Sequence, residues 1–153
     1  MEQKYQRLRK KVAFLFRLAS QIEIEGIEHV PAQGGFLLAT NHISRLDTPL
    51  LGVVTPRQVY GLVALKYKSF PPFRWLLDKA GAIWVRRTEF DRHALLESLA
   101  VLKRGEVLGV APEGSRSPNC ALQKGKPGVA FLAARTAVPI VPVAITGTER
   151  MLE

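Results

Sequence analysis

From residue 22 onward the chain alternates short, near-continuously apolar runs with longer stretches of helical periodicity, and that alternation leaves few folds open. The apolar runs at 22–25, 36–39, 59–64, 82–85, 107–111 and 140–145 have the length of strands, and most lack the polar alternation of a half-exposed sheet. Helical patterns fill the gaps. Thr48 and Pro49 read as the N-cap and first residue of a helix over 50–54. Pro72 opens and Gly81 closes a helix at 73–79. Asp91 caps a helix over 92–104, with Leu95, Leu99 and Leu102 inward and Gly105 as its stop. A last helix runs over 128–137, with Pro127 near its first turn. The expected architecture is α/β: a single domain with a mixed, largely parallel central sheet flanked by helices. With 153 residues, 47% of them hydrophobic, the chain has enough apolar material for one core.

The formal net charge of +9, from 22 Lys and Arg against 13 Asp and Glu, asks for an anionic partner. Lys4, Arg7, Arg9, Lys10, Lys11 and Arg17 crowd the first 17 residues. Leu8, Val12, Leu15 and Ala19 recur among them at helical spacing, and Phe14, Phe16 and Leu18 widen the apolar side. Residues 1–20 are therefore expected to form a basic amphipathic helix suited to an anionic membrane surface; the competing expectation is a stripe that packs on the domain itself. Nucleic acid is not expected as a partner, because no helix-turn-helix, zinc or RNA-binding pattern is present. No uncharged run reaches the ~18 residues of a membrane-spanning helix, and no signal-peptide layout opens the chain. Cys120 is the only cysteine, which excludes an internal disulfide and fits a reducing, cytoplasmic setting.

The run 36–39 delivers Asn41-His42-Ile43-Ser44-Arg45-Leu46-Asp47. A neutral imidazole takes a proton from a hydroxyl near neutral pH when a carboxylate fixes its tautomer and stabilises the imidazolium that forms. Five residues apart on a regular helix, the two side chains would diverge, so the pairing needs a turn between them. With three His and three Asp in the chain, this spacing is expected by chance only about 0.06 times. The plainer alternative is Asp47 capping a helix and His42 filling a loop. A metal site would need a further His or carboxylate at ligand spacing, which is missing.

Two more loops follow strand ends. Gly81-Ala82-Ile83-Trp84-Val85-Arg86-Arg87 ends one apolar run with paired arginines, and Ala111-Pro112-Glu113-Gly114-Ser115-Arg116-Ser117 ends another. In open α/β sheets ligands bind beyond the carboxyl ends of the strands. Arginine's planar fork suits phosphate, and Gly114 with Ser115 lets backbone N–H groups approach an anion closely.

These blocks, in this order, resemble the glycerolipid acyltransferases, the family that includes 1-acyl-glycerol-3-phosphate acyltransferase. His42 through Asp47 is similar to the family's His-x4-Asp block, and Gly81 through Arg87 to its second block. Pro112 through Ser117 resembles Pro-Glu-Gly-Thr-Arg-Ser, and Val138-Pro139-Ile140-Val141-Pro142-Val143 the Val-Pro-x-x-Pro-Val run. The resemblance covers roughly residue 22 to the end. Departures are Ala111 for the usual Phe, Ser115 for Thr, and Trp84 and Arg86 in the second block, where a shift in acceptor preference is expected.

The resemblance implies transfer of an acyl group from acyl-CoA or acyl carrier protein to the free hydroxyl of a lysophospholipid. The most expected conversion is 1-acyl-glycerol-3-phosphate to phosphatidic acid. His42 and Asp47 would be the catalytic pair, and Arg87, Glu113, Gly114, Ser115 and Arg116 the substrate-binding residues, with Lys124 or Lys126 as further phosphate contacts by analogy. No cofactor or metal is implied, and Pro139 and Pro142 read as strand-bending or edge residues. A bilayer-resident acceptor gives the basic helix a reason to lie in the interface, as a peripheral protein on the cytoplasmic face. Residues 21–153 would form the acyltransferase domain. Family members generally continue beyond the fourth block, so a fragment or a short member is expected. The alternative is a non-catalytic peripheral membrane module that binds anionic phospholipid.

Overall fold

The computed structural model describes residues 2–86 and 90–152. Five strands form one sheet: β1 (Phe36–Thr40), β2 (Val59–Ala64), β3 (Ala82–Val85), β4 (Val107–Val110) and β5 (Ile140–Val143). Their order is β3-β2-β4-β1-β5 and every pairing is parallel, so the sheet is not mixed. Five α-helices accompany them: α1 (Glu2–Ala19), α2 (Asp47–Val54), α3 (Pro71–Ala80), α4 (Arg92–Lys103) and α5 (Gly128–Thr136).

Strand order and handedness together fix the faces. The steps β1 to β2 and β2 to β3 run toward one edge, whereas β3 to β4 and β4 to β5 run toward the other. Right-handed crossovers therefore put α2 and α3 on one face and α4 and α5 on the opposite face. The packing agrees: α1 lies against α2 and α3, and α4 against α5. Alternate side chains of β1 feed both layers. Leu37 joins Leu108, Val101, Leu102, Val129 and Leu132 beneath α4 and α5, and Phe36 and Leu38 join Val107 on the other side. Leu37 and Leu108 are fully buried. Burying each contributes about 1.5–3 kcal/mol.

The helix ends follow the sequence closely, with one exception. Asp91 caps α4 by accepting the Ala94 N–H at 3.1 Å, and the N–H groups of Arg86 and Ala94 hold its carboxyl below the usual value. Gly81 ends α3 in a left-handed conformation, φ 89°, where a β-carbon would also press on the Tyr60 ring. The exception is α2, which begins at Asp47 with Leu46 as its N-cap, so Thr48 and Pro49 lie within the helix. The Asp47 side chain is turned back to the preceding loop, and that tie sets where the helix starts.

Two further expectations are corrected. Residues 22–25 are irregular, not a strand, although Ile and Glu alternate there. Alternation supplies a pleat but no partner, and neither sheet edge pairs with this segment among the described residues. Residues 144 and 145 leave the sheet after Val143. Pro142 sits opposite Ala39 in β5, an edge strand, where its missing N–H costs little.

The stripe on α1 that packs inward coincides only in part with the one drawn from periodicity. Tyr5 and Phe16 are buried and Leu8, Arg9 and Val12 half-buried, while Phe14, Leu15, Leu18 and Ala19 are exposed. Two polar side chains select the face. The Tyr5 hydroxyl donates to the Gly52 carbonyl at 3.1 Å, and both Nε and Nη2 of Arg9 donate to the Val53 carbonyl. Those carbonyls belong to the last turn of α2, where no intrahelical donor reaches them. Burial pushes the Tyr5 phenol above its ordinary pKa.

Where Gly35 enters β1, a β-carbon would run into the Leu102 carbonyl oxygen, a backbone atom that cannot move aside cheaply. Gly35→Ala is expected to cost about 1–3 kcal/mol, read as a Tm lowered by several degrees. An unchanged Tm would mean that this close approach is not required.

Candidate active site

The connection leaving β1 goes to one face of the sheet and the connection leaving adjacent β4 goes to the other. A crevice opens between diverging connections, and it lies beyond the carboxyl ends of these two strands. Two of the three chemically marked loops fall there, 41–47 after β1 and 111–117 after β4, whereas 81–87 runs through β3. The Ser117 N–H donates to the His42 carbonyl at 2.7 Å and joins the two loops directly.

His42 Nδ1 lies 2.8 Å from Asp47 Oδ2. The same oxygen accepts the N–H groups of Ile43 at 2.8 Å and Ser44 at 2.9 Å. Asp47 Oδ1 accepts the Thr148 hydroxyl at 2.6 Å. Against a carboxylate, which only accepts, Nδ1 is the ring's donor, so a neutral imidazole here would leave its lone pair on Nε2. Asp47 is 1% exposed, so burial alone would push its carboxyl up. The hydrogen bonds from His42, Thr148, Ser44 and Ile43 outweigh that and hold it below the ordinary carboxylate value. The turn at 43–46 lets side chains five apart in sequence meet, which a continuous helix would forbid. Asp47 thus pairs with His42 and does not cap α2.

On the neighbouring loop, Glu113 is buried, and its Oε2 has no hydrogen-bond partner among the described residues. A buried carboxylate oxygen calls for a donor. Gly114 turns at φ 74°, with the Lys126 ammonium so close that a β-carbon on Gly114 would lie 3.0 Å from it. Lys126 also donates its backbone N–H to the Pro112 carbonyl at 2.8 Å. Ser115 and Arg116 are exposed on the same loop. Lys126 is thereby brought to the Pro-Glu-Gly turn. Arg87 lies outside the described residues.

Two residues that sequence reasoning passed over belong to this arrangement. Asn41 uses both ends of its amide on Ile145, donating to its carbonyl and accepting its N–H, each at 2.8 Å. Thr148, in a short 3-10 turn after β5, reaches Asp47 across 101 residues of sequence. Asn41 stood beside His42 and was visible in the motif; nothing in the Gly147-Thr148-Glu149 run marks the threonine. A cavity of about 290 Å³ between the end of α1, residues 20–25, α2 and the chain after β5 is lined by Ile22, Leu50, Leu51, Ile145, Thr148 and Met151 among others. His42, Glu113 and Arg116 do not line it, so it is separate from the nitrogen that would take the proton. Among the described residues no group of three His, Cys, Asp or Glu is arranged to hold a metal ion.

The fold is α/β, with a His–Asp pair beside the switch-point crevice at the carboxyl ends of its parallel strands. The family model described as Acyltransferase matches residues 21–146, and the chain belongs to that family. A lyso-ornithine lipid O-acyltransferase of Pseudomonas aeruginosa is 32% identical over 111 residues, covering 72% of this chain and 42% of that protein. A 1-acyl-sn-glycerol-3-phosphate acyltransferase of Bacillus subtilis is 28% identical over 138 residues, 87% of this chain and 66% of that one. The crystal structure of the 1-acyl-sn-glycerophosphate acyltransferase PlsC of Thermotoga maritima superimposes with a TM-score of 0.81 at 29% identity, covering 95% of this chain and 58% of that chain. The chain therefore spans about two fifths to two thirds of the length of these relatives.

The direction of the Asp47 shift fixes a pH dependence. The folded carboxyl releases its proton more readily than the unfolded chain's, so the unfolded state binds more protons at low pH. The stabilisation is complete above about pH 4 and is lost as pH falls through the folded value. Asp47→Asn is expected to lower Tm near neutral pH and to flatten its fall under acid conditions, measured by calorimetry across the acid range. A wild-type acid slope in the variant would remove Asp47 from this role.

Proposed function

We propose that this protein transfers a fatty acyl group from acyl-CoA or acyl carrier protein to the free hydroxyl of a lysophospholipid, with 1-acyl-glycerol-3-phosphate as the acceptor. The observation that carries the reading is the His42–Asp47 pair, whose donor-saturated carboxylate leaves Nε2 of His42 as the base. Nε2 takes the proton from the acceptor hydroxyl as its oxygen attacks the thioester carbonyl. The C–O ester bond forms, the C–S bond breaks, and the thiolate leaves with the proton returned from the imidazolium. A thiolate is a good leaving group, so no covalent acyl-enzyme is required. Asp47 holds the ring and stabilises its transient charge.

The second loop supports a polar, anionic acceptor. Glu113, buried with an unpartnered oxygen, makes this turn polar, and Gly114 shapes the turn beside it. Lys126, Arg116 and Ser115 suit the phosphate, with Arg87 assigned to it by family resemblance. The expected outcome with lysophosphatidic acid and a panel of acyl-CoAs is phosphatidic acid, detected by mass spectrometry. His42→Ala is expected to lower its rate by about 10²-fold or more. A folded wild-type protein that acylates neither this acceptor nor other lysolipids, from CoA or carrier-protein donors, would overturn the reading in favour of a non-catalytic lipid-binding module.

The protein is further proposed to work as a peripheral protein on the cytoplasmic face of the membrane. No helix among the described residues is long and apolar enough to cross a bilayer. With its inner stripe packed on α2 and α3, α1 still exposes Phe14, Leu15 and Leu18 beside Arg7, Lys10, Lys11 and Arg17. Apolar side chains of this kind enter the headgroup region while the basic ones attract anionic lipid. Sedimentation with anionic vesicles is expected to exceed that with neutral vesicles and to weaken with salt. Leu15→Ser with Leu18→Ser should reduce it, and His42→Ala should not; binding indifferent to the double substitution would exclude this surface.

A further inference from the structure

The two oxygens of Asp47 are engaged differently. Oδ2 accepts His42 and two loop N–H groups, all from residues within five positions of Asp47. Among the described residues Oδ1 accepts one hydrogen bond, from the Thr148 hydroxyl, 101 residues away in sequence. We propose that Thr148 is a positioning residue for the acyl transfer: its hydroxyl locks the Asp47 carboxylate plane and thereby aims Nε2 of His42. This rests on the general-base reading of His42.

The geometry carries the inference in three steps. The terminal torsion of an aspartate is broad, and rotation about its Cβ–Cγ bond moves both carboxylate oxygens together, so every donor on either oxygen narrows the torsion that faces His42. Three local donors act on Oδ2, and Thr148 supplies the hold on Oδ1 that comes from outside the loop. Thr148 is 2% exposed, and a hydroxyl has one proton; at 2.6 Å from Oδ1 that proton is committed to Asp47.

The segment carrying Thr148 is itself fixed to the histidine loop. Asn41, the neighbour of His42, clamps Ile145 through both amide atoms, three residues before Thr148. His42, Asp47, Thr148, Ile145 and Asn41 thus form a closed circuit of hydrogen bonds and short backbone links. Rotation of the imidazole would have to break a bond in that circuit. The same hydroxyl also helps hold the Asp47 carboxyl below its ordinary value, which keeps the partner of Nδ1 ionised.

A purely packing role for Thr148 makes a different prediction, because Val keeps its shape without the hydroxyl and Ser keeps the hydroxyl without the methyl. The test compares Thr148→Val and Thr148→Ser with wild type in three readings: acyl-transfer kinetics, Tm, and the downfield proton NMR resonance of the His42 Nδ1–H. Thr148→Val is expected to lower kcat about 10- to 100-fold with KM changed less than about twofold. It should also shift or broaden the Nδ1–H resonance, and Thr148→Ser should restore both. A folded Thr148→Val protein with wild-type kcat and an unmoved resonance overturns the proposal, as does a Ser variant as impaired as Val. Should Thr148→Val not fold, Thr148→Ala makes the same comparison. If the wild type transfers no acyl group, the functional reading fails by itself; an unmoved Nδ1–H resonance in Thr148→Val then overturns the positioning role and a shifted one supports it.

Discussion

The buried Asp47 carboxylate ties together parts of the chain that lie far apart in sequence. Removing an ionised carboxyl from water is costly unless hydrogen bonds replace its hydration. Asp47 receives four, from His42, Ile43, Ser44 and Thr148, which about fills the acceptor sites of a carboxylate. The donors come from the loop after β1 and from the turn after β5, while the carboxylate itself is on the first residue of α2. Satisfying that one charge therefore fixes a strand exit, a helix start and a distant turn at once. The folded backbone is what makes the charge tolerable, and the charge is what sets the loop geometry.

The place of this carboxylate follows from topology. With all strands parallel, every carboxyl end lies on the same edge, and the order β3-β2-β4-β1-β5 makes β1 and β4 neighbours with connections to opposite faces. The loop carrying His42 and the loop carrying Glu113 are thus brought together by strand order and not by nearness in sequence, and the Ser117 N–H joins them at the His42 carbonyl. Aliphatic burial supplies the rigidity beneath them: Leu37 and Leu108 lie side by side in the register, each fully buried. Such a floor resists small displacements because packed interiors have no spare volume to yield.

How much of this could be read from the residues differs by the kind of signal. The five strands were legible because sheets covered on both faces require unbroken apolar runs. Gly81 and Asp91 were legible because a left-handed stop and a carboxylate cap are local chemistry. The run at 22–25 misled because alternation describes one strand and says nothing about a neighbour to pair with. The start of α2 misled because Thr48 and Pro49 are good capping residues, and the Asp47 contacts override them. On α1, periodicity established two-sidedness but not the inward side, which Tyr5 and Arg9 select by satisfying carbonyls of another helix. Thr148 had no local signal at all. Its meaning lies in a partner 101 residues away, and only the pairing of β5 beside β1 brings it there.

The site divides its polar groups by burial, and that division matches the demands of the proposed reaction. Asp47, Thr148 and Glu113 are buried, and the His42 side chain is only 16% exposed. Ser115, Arg116 and Lys126 are exposed. Proton transfer depends steeply on distance and direction, so groups that aim the base gain from a rigid, dry setting. Capture of a phosphate tolerates more freedom, because a doubly charged anion is attracted from several angles and its oxygens are interchangeable to a guanidinium or ammonium. An acceptor arriving from a lipid surface must also meet its first contacts before it reaches the base. In the proposed reaction, exposed cations would collect the headgroup, and the half-buried imidazole held by Asp47 would meet the one free hydroxyl.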